Sequence, residues 1–264
     1  MSDVLRDILR GCGRLAVAVS GGVDSLTLAA LAHATIGEGA VMHHAQSPAV
    51  PAEATARTRA LAHARGWRLE VFDAGEFADP QYRANPANRC LFCKTNLYGA
   101  IARRTDAQVI SGTNLDDLGE YRPGLEAARA HGVRHPFVEA GIDKAGVRAL
   151  AAALGLGAVA ELPASPCLSS RIETGIRIEP ALLGIVERSE QMLRAELAPR
   201  TIRCRVRAGG IVVELDQETL HRLDGAALAA LRGRLAATLD GTAREMPISF
   251  APYRNGSAFL RPPA

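Results

Sequence analysis

The sequence predicts an α/β protein: a doubly wound parallel sheet, then a smaller α+β domain. Three observations predict it. Short apolar runs of strand length alternate with helix-length segments over the first part of the chain, the pattern of buried parallel strands joined by crossover helices. A glycine-rich hexapeptide, Ser20-Gly21-Gly22-Val23-Asp24-Ser25, stands between the first strand and the first helix. Near residues 157–166, where Pro163 and Pro166 flank small residues, the alternation stops and a hairpin pattern takes over.

Taken in order, residues 15–19 form the first apolar strand and 26–34 the body of the first helix. Residues 40–42 read as a second strand, 51–65 as a helix stopped by Gly66, and 68–72 as a third strand. A polar loop with Pro80, Asn85 and Pro86 follows. Residues 89–103 have helical spacing, 107–110 read as a fourth strand, and 143–154 as an alanine-rich helix closed by Gly155. Ligands of such sheets sit beyond the carboxyl ends of the strands, so the glycine turn and the loops after Met42 and Ile110 share the functional edge. The boundary is expected between 1–162 and 163–264. Beyond it, 180–197 is a long helix, 202–206 and 211–215 a hairpin turning at Gly209-Gly210, 226–239 a helix and 247–250 a last strand.

Composition narrows the function classes. With 264 residues, 48% hydrophobic and 22% charged, the chain can bury a substantial core in one or two domains. A net charge of +3, without basic runs interleaved with aromatics, does not argue for nucleic acid. No apolar stretch approaches membrane-spanning length, and residues 1–10 do not read as a secretory signal, so the expected location is the cytoplasm. There, five cysteines are thiols or metal ligands rather than disulfides.

The hexapeptide carries the first chemical signal. A glycine turn entering a helix aims backbone N–H groups and the positive end of the helix dipole at one point, suited to a phosphate. Gly21 and Gly22 permit close approach, and Ser20 and Ser25 add hydroxyls. Asp24 would repel a bare phosphate, so it implies Mg²⁺ between them. The lysine of a Walker loop is absent, which speaks against γ-phosphoryl transfer. The cysteines carry the second signal. Cys90 and Cys93 form C-x-x-C at a helix start, which favours thiolate, and Cys167 lies at the inter-domain joint. The pair alone fits a zinc half-site, a redox pair or two unrelated thiols; three cysteines with an open fourth position suit a 4Fe–4S cluster. Cys12 and Cys204 read as small buried side chains, Trp67 as a packing residue, and His43 and His44 as structural.

The hexapeptide resembles the pyrophosphate loop (PP-loop) of N-type ATP pyrophosphatases. Longer stretches resemble one family within them, the LarE-type ATP-dependent sacrificial sulfur transferases. These are Asn85-Pro86-Ala87-Asn88-Arg89-Cys90-Leu91-Phe92-Cys93-Lys94, the segment from Gly112-Thr113-Asn114 through Asp116-Asp117 to Arg122-Pro123-Gly124, Pro163 to Ile172 around Cys167, and Tyr253-Arg254-Asn255-Gly256-Ser257. The family's Cys-Leu-Ala-Ser-Arg is here Cys167-Leu168-Ser169-Ser170-Arg171, and His43-His44 replace small or acidic residues.

The resemblance implies a PP-loop fold and ATP cleaved between its α and β phosphates. A carboxylate of a pyridinium dicarboxylate mononucleotide is adenylylated and becomes a thiocarboxylate, a step in nickel-pincer cofactor synthesis. It implies ATP and Mg²⁺ at Ser20, Gly21, Gly22, Val23, Asp24 and Ser25, with Gly112, Thr113 and Asn114 beside them. Asp116 and Asp117, after a strand end near the nucleotide, are candidates to hold Mg²⁺ or to position substrate. Arg122, in a turn, is a candidate to bind a phosphate or carboxylate bidentately, and Arg203 and Arg205, alternating on one strand face where the family has Arg-x-Arg, are a candidate phosphate-binding pair. The resemblance implies catalytic roles for Cys167, Asp24 and Arg171, and a 4Fe–4S cluster on Cys90, Cys93 and Cys167 that passes on a sulfide from a sulfide donor. Some members instead sacrifice the sulfur of the cysteine matching Cys167. PP-loop relatives also thiolate tRNA or form amides, but neither an RNA-binding appendage nor a glutaminase segment is evident. The family forms homo-oligomers, and the same state is expected here.

Overall fold

A computed structural model describes residues 2–119 and 121–260. In chain order its principal elements are α1 (Ser2–Gly11), β1 (Leu15–Ala18), α2 (Val23–Ile36), β2 (Ala40–Ala45), α3 (Ala52–Arg65), β3 (Arg68–Phe72), α4 (Pro80–Arg83), α5 (Arg89–Ala102) and β4 (Gln108–Ser111). There follow α6 (Gly124–Ala130), α7 (Pro136–Glu139), α8 (Lys144–Ala153), α9 (Pro180–Leu197), β5 (Ile202–Arg207), β6 (Gly210–Leu215), α10 (Gln217–His221), α11 (Gly225–Thr238) and β7 (Ile248–Pro252). They divide into two compact units: Met1–Asp79 with Asn88–Ser165, and Pro80–Ala87 with Pro166–Ala264.

The first unit is a four-stranded, wholly parallel sheet in the order β3-β2-β1-β4. Alternate strand residues face opposite layers, as the pleat requires. Leu15, Val17, Ala40, Met42 and Ile110 pack with Leu26, Leu31 and Val147 of α2 and α8, and with Leu5 and Leu9 of α1. Ala16, Ala18 and Val109 point the other way, onto Tyr98 and Ile101 of α5 and Ala127 and Ala128 of α6. Helices therefore cover both faces, the α/β arrangement the sequence predicts. Leu5, Leu9, Leu26 and Leu28 are wholly buried, each worth roughly 1.5–3 kcal/mol of hydrophobic stabilisation.

The second unit carries a three-stranded mixed sheet, β5-β6-β7, antiparallel between β5 and β6 and parallel between β6 and β7. The hairpin turns at residues 208 and 209; Gly210, which the sequence placed in the turn, pairs with Arg207 instead. α9 begins with Pro180 at its first position, where a missing N–H costs nothing. The excursion 80–87 belongs here because its polar groups are satisfied here. Buried Asn85 donates through Nδ2 to the carbonyls of Glu173 (2.8 Å) and Ile176 (2.9 Å), and its own carbonyl accepts from the Gly175 N–H at 2.9 Å. Tyr82 and Ser169 share a hydroxyl hydrogen bond of 2.7 Å. Among the described residues no helix is long and apolar enough to cross a membrane.

Candidate active site

The strand order creates the site. Successive crossovers place β2 and β3 on one side of β1, and the chain then returns to add β4 on the other side. The crevice outside the carboxyl ends of β1 and β4 is the topological switch point, where sheets of this type take their ligands. Two loops meet there: the hexapeptide after β1 and residues 112–119 after β4.

The hexapeptide is a strand–turn–helix, with Gly22 as the N-cap of α2. No side chain caps this helix, so its first N–H groups keep their capacity for an outside acceptor. The two serines shape the turn. Ser25 Oγ accepts from the Ser20 N–H (3.1 Å), donates to the Gly22 carbonyl (3.1 Å), and lies 3.1 Å from Ser20 Oγ. Arg57 donates to the Gly21 carbonyl at 2.6 Å. Gly21 has φ +82°, and a Cβ there would meet the Ala54 carbonyl oxygen at 2.6 Å, so glycine is required. Gly112 is required for a different reason: a Cβ on it would lie 2.8 Å from the Asp24 carbonyl carbon and 2.9 Å from the Ser25 nitrogen. The second loop thus rests directly on the backbone of the first.

Asp24 is the centre of this contact. Asn114, itself buried, donates to Asp24 Oδ1 at 3.1 Å. Lys144 Nζ binds both carboxylate oxygens, at 2.8 and 2.6 Å. The carboxylate therefore already holds a cationic group, and its donor chemistry fits Mg²⁺. Asp116 and Asp117, candidates to hold Mg²⁺ or to position substrate, accept hydrogen bonds from the backbone around them. Asp116 Oδ2 accepts from the Lys144 N–H (3.2 Å), and Asp117 Oδ2 from the Asn114 N–H (3.1 Å). Arg122 pairs with Asp117 at 2.7 Å. Thr113 Oγ1 lies 3.3 Å from Ser111 Oγ, which lies 2.9 Å from His135 Nδ1. Burial lowers the pKa of His135 and favours its neutral ring.

His44 is a structural clamp. Its Nδ1 donates to the Val19 carbonyl at 2.9 Å, so Nε2 accepts from the Thr55 hydroxyl at 2.9 Å. Burial lowers the pKa of His44 and of its neighbour His43, in the latter against the pull of Glu70. Trp67 is buried in the core of the first unit.

In the second unit Cys167 is exposed and is the N-cap of a short 3₁₀ turn, Leu168–Arg171. Arg171, expected to act on substrate, is buried and holds Glu190 bidentately at 2.9 and 3.0 Å. Its remaining nitrogen donates to the carbonyls of Pro166 (2.6 Å) and Cys167 (3.2 Å), so it staples the cysteine loop. Arg205 is equally committed, to Glu214 at 3.1 Å and the Ser170 carbonyl at 3.0 Å. Arg203 donates to the Ile202 carbonyl at 2.7 Å; burial and the neighbouring Arg171 lower its pKa, and its guanidinium lies 5.8 Å from the Tyr253 ring. Cys204 is fully buried and its thiol is pushed up to about 12, first by burial and then by Glu190.

The three cysteines expected as cluster ligands are distributed between the units. Cys90 and Cys93 lie three residues apart on α5, exposed and half-buried, and Cys167 lies in the second unit. Three thiols leaving one position open fit a 4Fe–4S centre by donor type. Among the described residues, however, no three His, Cys, Asp or Glu side chains are gathered as a metal-holding group. Lys144 is the site residue that sequence reasoning missed. A lysine in the first turn of a helix opposes the macrodipole, and that broken rule was the available signal.

No protein-family model matches the chain. An uncharacterized protein of Synechocystis sp. is 38% identical over 222 residues, 83% of this chain and 82% of that protein. A protein of Lactiplantibacillus plantarum named pyridinium-3,5-bisthiocarboxylic acid mononucleotide synthase is 30% identical over 202 residues, 75% of this chain and 72% of the relative. An uncharacterized protein of Methanocaldococcus jannaschii is 29% identical over 138 residues, about half of each chain. An identity of that extent with the Lactiplantibacillus synthase assigns the chain to the LarE-like family.

Proposed function

We propose that this protein is an ATP-dependent sulfur transferase that converts a carboxylate of a pyridinium dicarboxylate mononucleotide to a thiocarboxylate, in nickel-pincer cofactor synthesis. The observation that carries the reading is the meeting of two loops on Asp24 at the switch point of the first unit, in a chain related to a named thiocarboxylate synthase. A carboxylate oxygen attacks the α phosphorus of ATP, the α–β phosphoanhydride bond breaks, and pyrophosphate leaves with the electron pair. Hydrosulfide-level sulfur then attacks the acyl carbon, AMP leaves, and the thiocarboxylate remains. The start of α2 with Gly21, Gly22, Val23 and Ser25 receives phosphate oxygens, Ser20 shapes the turn, and Asp24 holds Mg²⁺ against them. Gly112, Thr113 and Asn114 form the second wall, and Asp117 fixes Arg122 beside it. In the second unit Arg171 and Arg205 position the Cys167 loop, and Arg203 is the candidate to meet the substrate's phosphate.

The sulfur comes through Cys167. In the proposal's first form Cys90, Cys93 and Cys167 together hold a 4Fe–4S cluster, which supplies a localised, deprotonated sulfide when bound. In its second form the Cys167 thiolate attacks the acyl carbon and AMP leaves; loss of the Cα proton then breaks the Cβ–Sγ bond, so the thiocarboxylate departs with the electron pair and residue 167 becomes dehydroalanine. The protein acts in the cytoplasm as a homo-oligomer on this small molecule, without nucleic acid or membrane.

Anaerobic incubation with the mononucleotide, Mg²⁺, ATP and sulfide should give AMP, pyrophosphate and a product with one carboxylate oxygen replaced by sulfur. AMP formation that does not depend on the mononucleotide would overturn the reading. Iron and acid-labile sulfide lost in Cys93→Ala select the cluster; loss of H2S from Cys167 in the intact mass selects sacrifice.

A further inference from the structure

Lys144 stands where helix physics disfavours it. It is the first residue of α8, and the positive end of the helix dipole repels an ammonium. The surroundings nevertheless build it in. Asp143 caps α8 by accepting the Gly146 N–H at 2.8 Å, and Asp116 accepts the Lys144 N–H at 3.2 Å. Its Nζ then reaches both oxygens of Asp24, whose Oδ1 also accepts from Asn114. The Lys144 and Asp24 side chains are 33% and 28% exposed, so the pair can part without opening the core. Surface ion pairs of this exposure contribute little to stability, so stability does not account for an ammonium in this place.

We infer that Lys144 is a tethered counter-ion. It occupies Asp24 while the loop is empty, competes with the divalent cation of an arriving nucleotide for that carboxylate, and transfers its charge to the phosphates once displaced. The inference rests on the nucleotide reading proposed above and adds to it the residue that sets the metal requirement. An ammonium bound to both oxygens lowers the fraction of Asp24 competent for the metal, and apparent metal affinity falls by that fraction. The same ammonium, released beside the start of α2, is placed to make a charge-assisted hydrogen bond to phosphate oxygen.

The test is binding, with Mn²⁺ read by electron paramagnetic resonance and α,β-methylene ATP as a nucleotide resistant to cleavage between its α and β phosphates. In Lys144→Met, Mn²⁺ in the nucleotide complex should bind roughly fivefold or more tightly than in wild type. Binding of the nucleotide without metal should weaken about tenfold, because Asp24 then faces the phosphates with its charge uncompensated. Lys144→Gln keeps a hydrogen-bonding group without the charge and should shift both constants in the same directions. Lys144→Arg keeps the charge and should stay near wild type. The opposite signs are the signature, since a merely structural lysine would lower both affinities together with the melting temperature. Wild type that binds nucleotide and Mn²⁺, with unchanged Mn²⁺ affinity in folded Lys144→Met and Lys144→Gln, overturns the inference alone. Wild type that binds neither overturns the nucleotide reading and the inference with it.

Discussion

Arg171 shows how burial decides the role of a charged side chain. Its side chain is 3% exposed and that of Glu190 6%, so each charge is compensated chiefly by the other rather than by water. Replacing the pair by apolar groups could be neutral, but breaking it is not. Arg171→Met leaves Glu190 charged and buried while it still accepts the Cys204 N–H at 2.9 Å, and should cost about 3–5 kcal/mol in urea unfolding. A loss under about 1 kcal/mol would show that Glu190 finds water or a proton in the folded state. Gly112→Ala tests the contact between the two loops in the same currency. Its Cβ would press on backbone atoms of residues 24 and 25, which cannot rotate away as a side chain tip could. Destabilisation of about 1–3 kcal/mol is expected, with nucleotide affinity reduced further than Tm alone would suggest. Unchanged nucleotide binding in Gly112→Ala would separate the second loop from the site.

At the scale of elements, α8 links helix capping to the site. Asp143→Ala removes the side chain that accepts the Gly146 N–H and should cost about 1 kcal/mol in thermal or urea unfolding, with fraying that begins at Lys144. Rapid amide exchange confined to residues 144–147 would confirm the location; uniform loss of protection across the helix would contradict it. Elements with local punctuation were legible in the sequence. Gly66 ends α3, Pro180 starts α9, and the strand expected at 68–72 is β3 as the structure has it. Elements whose signals are not local were not. No helix is expected at residues 1–10 from the sequence, although Leu5 and Leu9, four apart and wholly buried, give α1 its inner face. β2 runs on through His43 and His44 to Ala45, beyond the expected end at Met42, because both rings are buried neutral and His44 finds both of its partners. The placement of 80–87 in the second unit depends on Asn85, whose hydrogen bonds reach residues about 90 positions away. The candidate site divides in the same way. The hexapeptide is a continuous stretch and could be read directly, whereas the pairing of Asp24 with Lys144 spans 120 positions and has no local trace beyond a lysine in an unfavourable turn.

For the whole molecule, the two units bury their charge chemistry differently, and this predicts how stability responds to acid. The second unit buries arginine–carboxylate pairs, Arg171–Glu190 and Arg205–Glu214. The first unit buries two histidines, His43 and His44, and half-buries a third, His135, each with its pKa lowered chiefly by burial. An unfolded histidine titrates near pH 6.5, so above that pH both states carry neutral rings and the histidines contribute no pH dependence. As the pH falls through about 6.5 the unfolded chain takes up protons that the folded rings refuse, and by linkage the folded state loses stability until the pH drops below the folded pKa values. Tm should therefore be level between about pH 7 and 8 and fall progressively toward pH 5, with amide protection lost first in β1, β2 and α3 around the Val19–His44–Thr55 clamp. His44→Asn should lower Tm at neutral pH, because it removes a hydrogen-bonded clamp, and should also flatten the acid limb, because it removes one of the protons taken up on unfolding. A variant with lower Tm but an acid limb as steep as wild type would show that His44 does not carry its share of the linkage, and would shift the effect to His43 and His135.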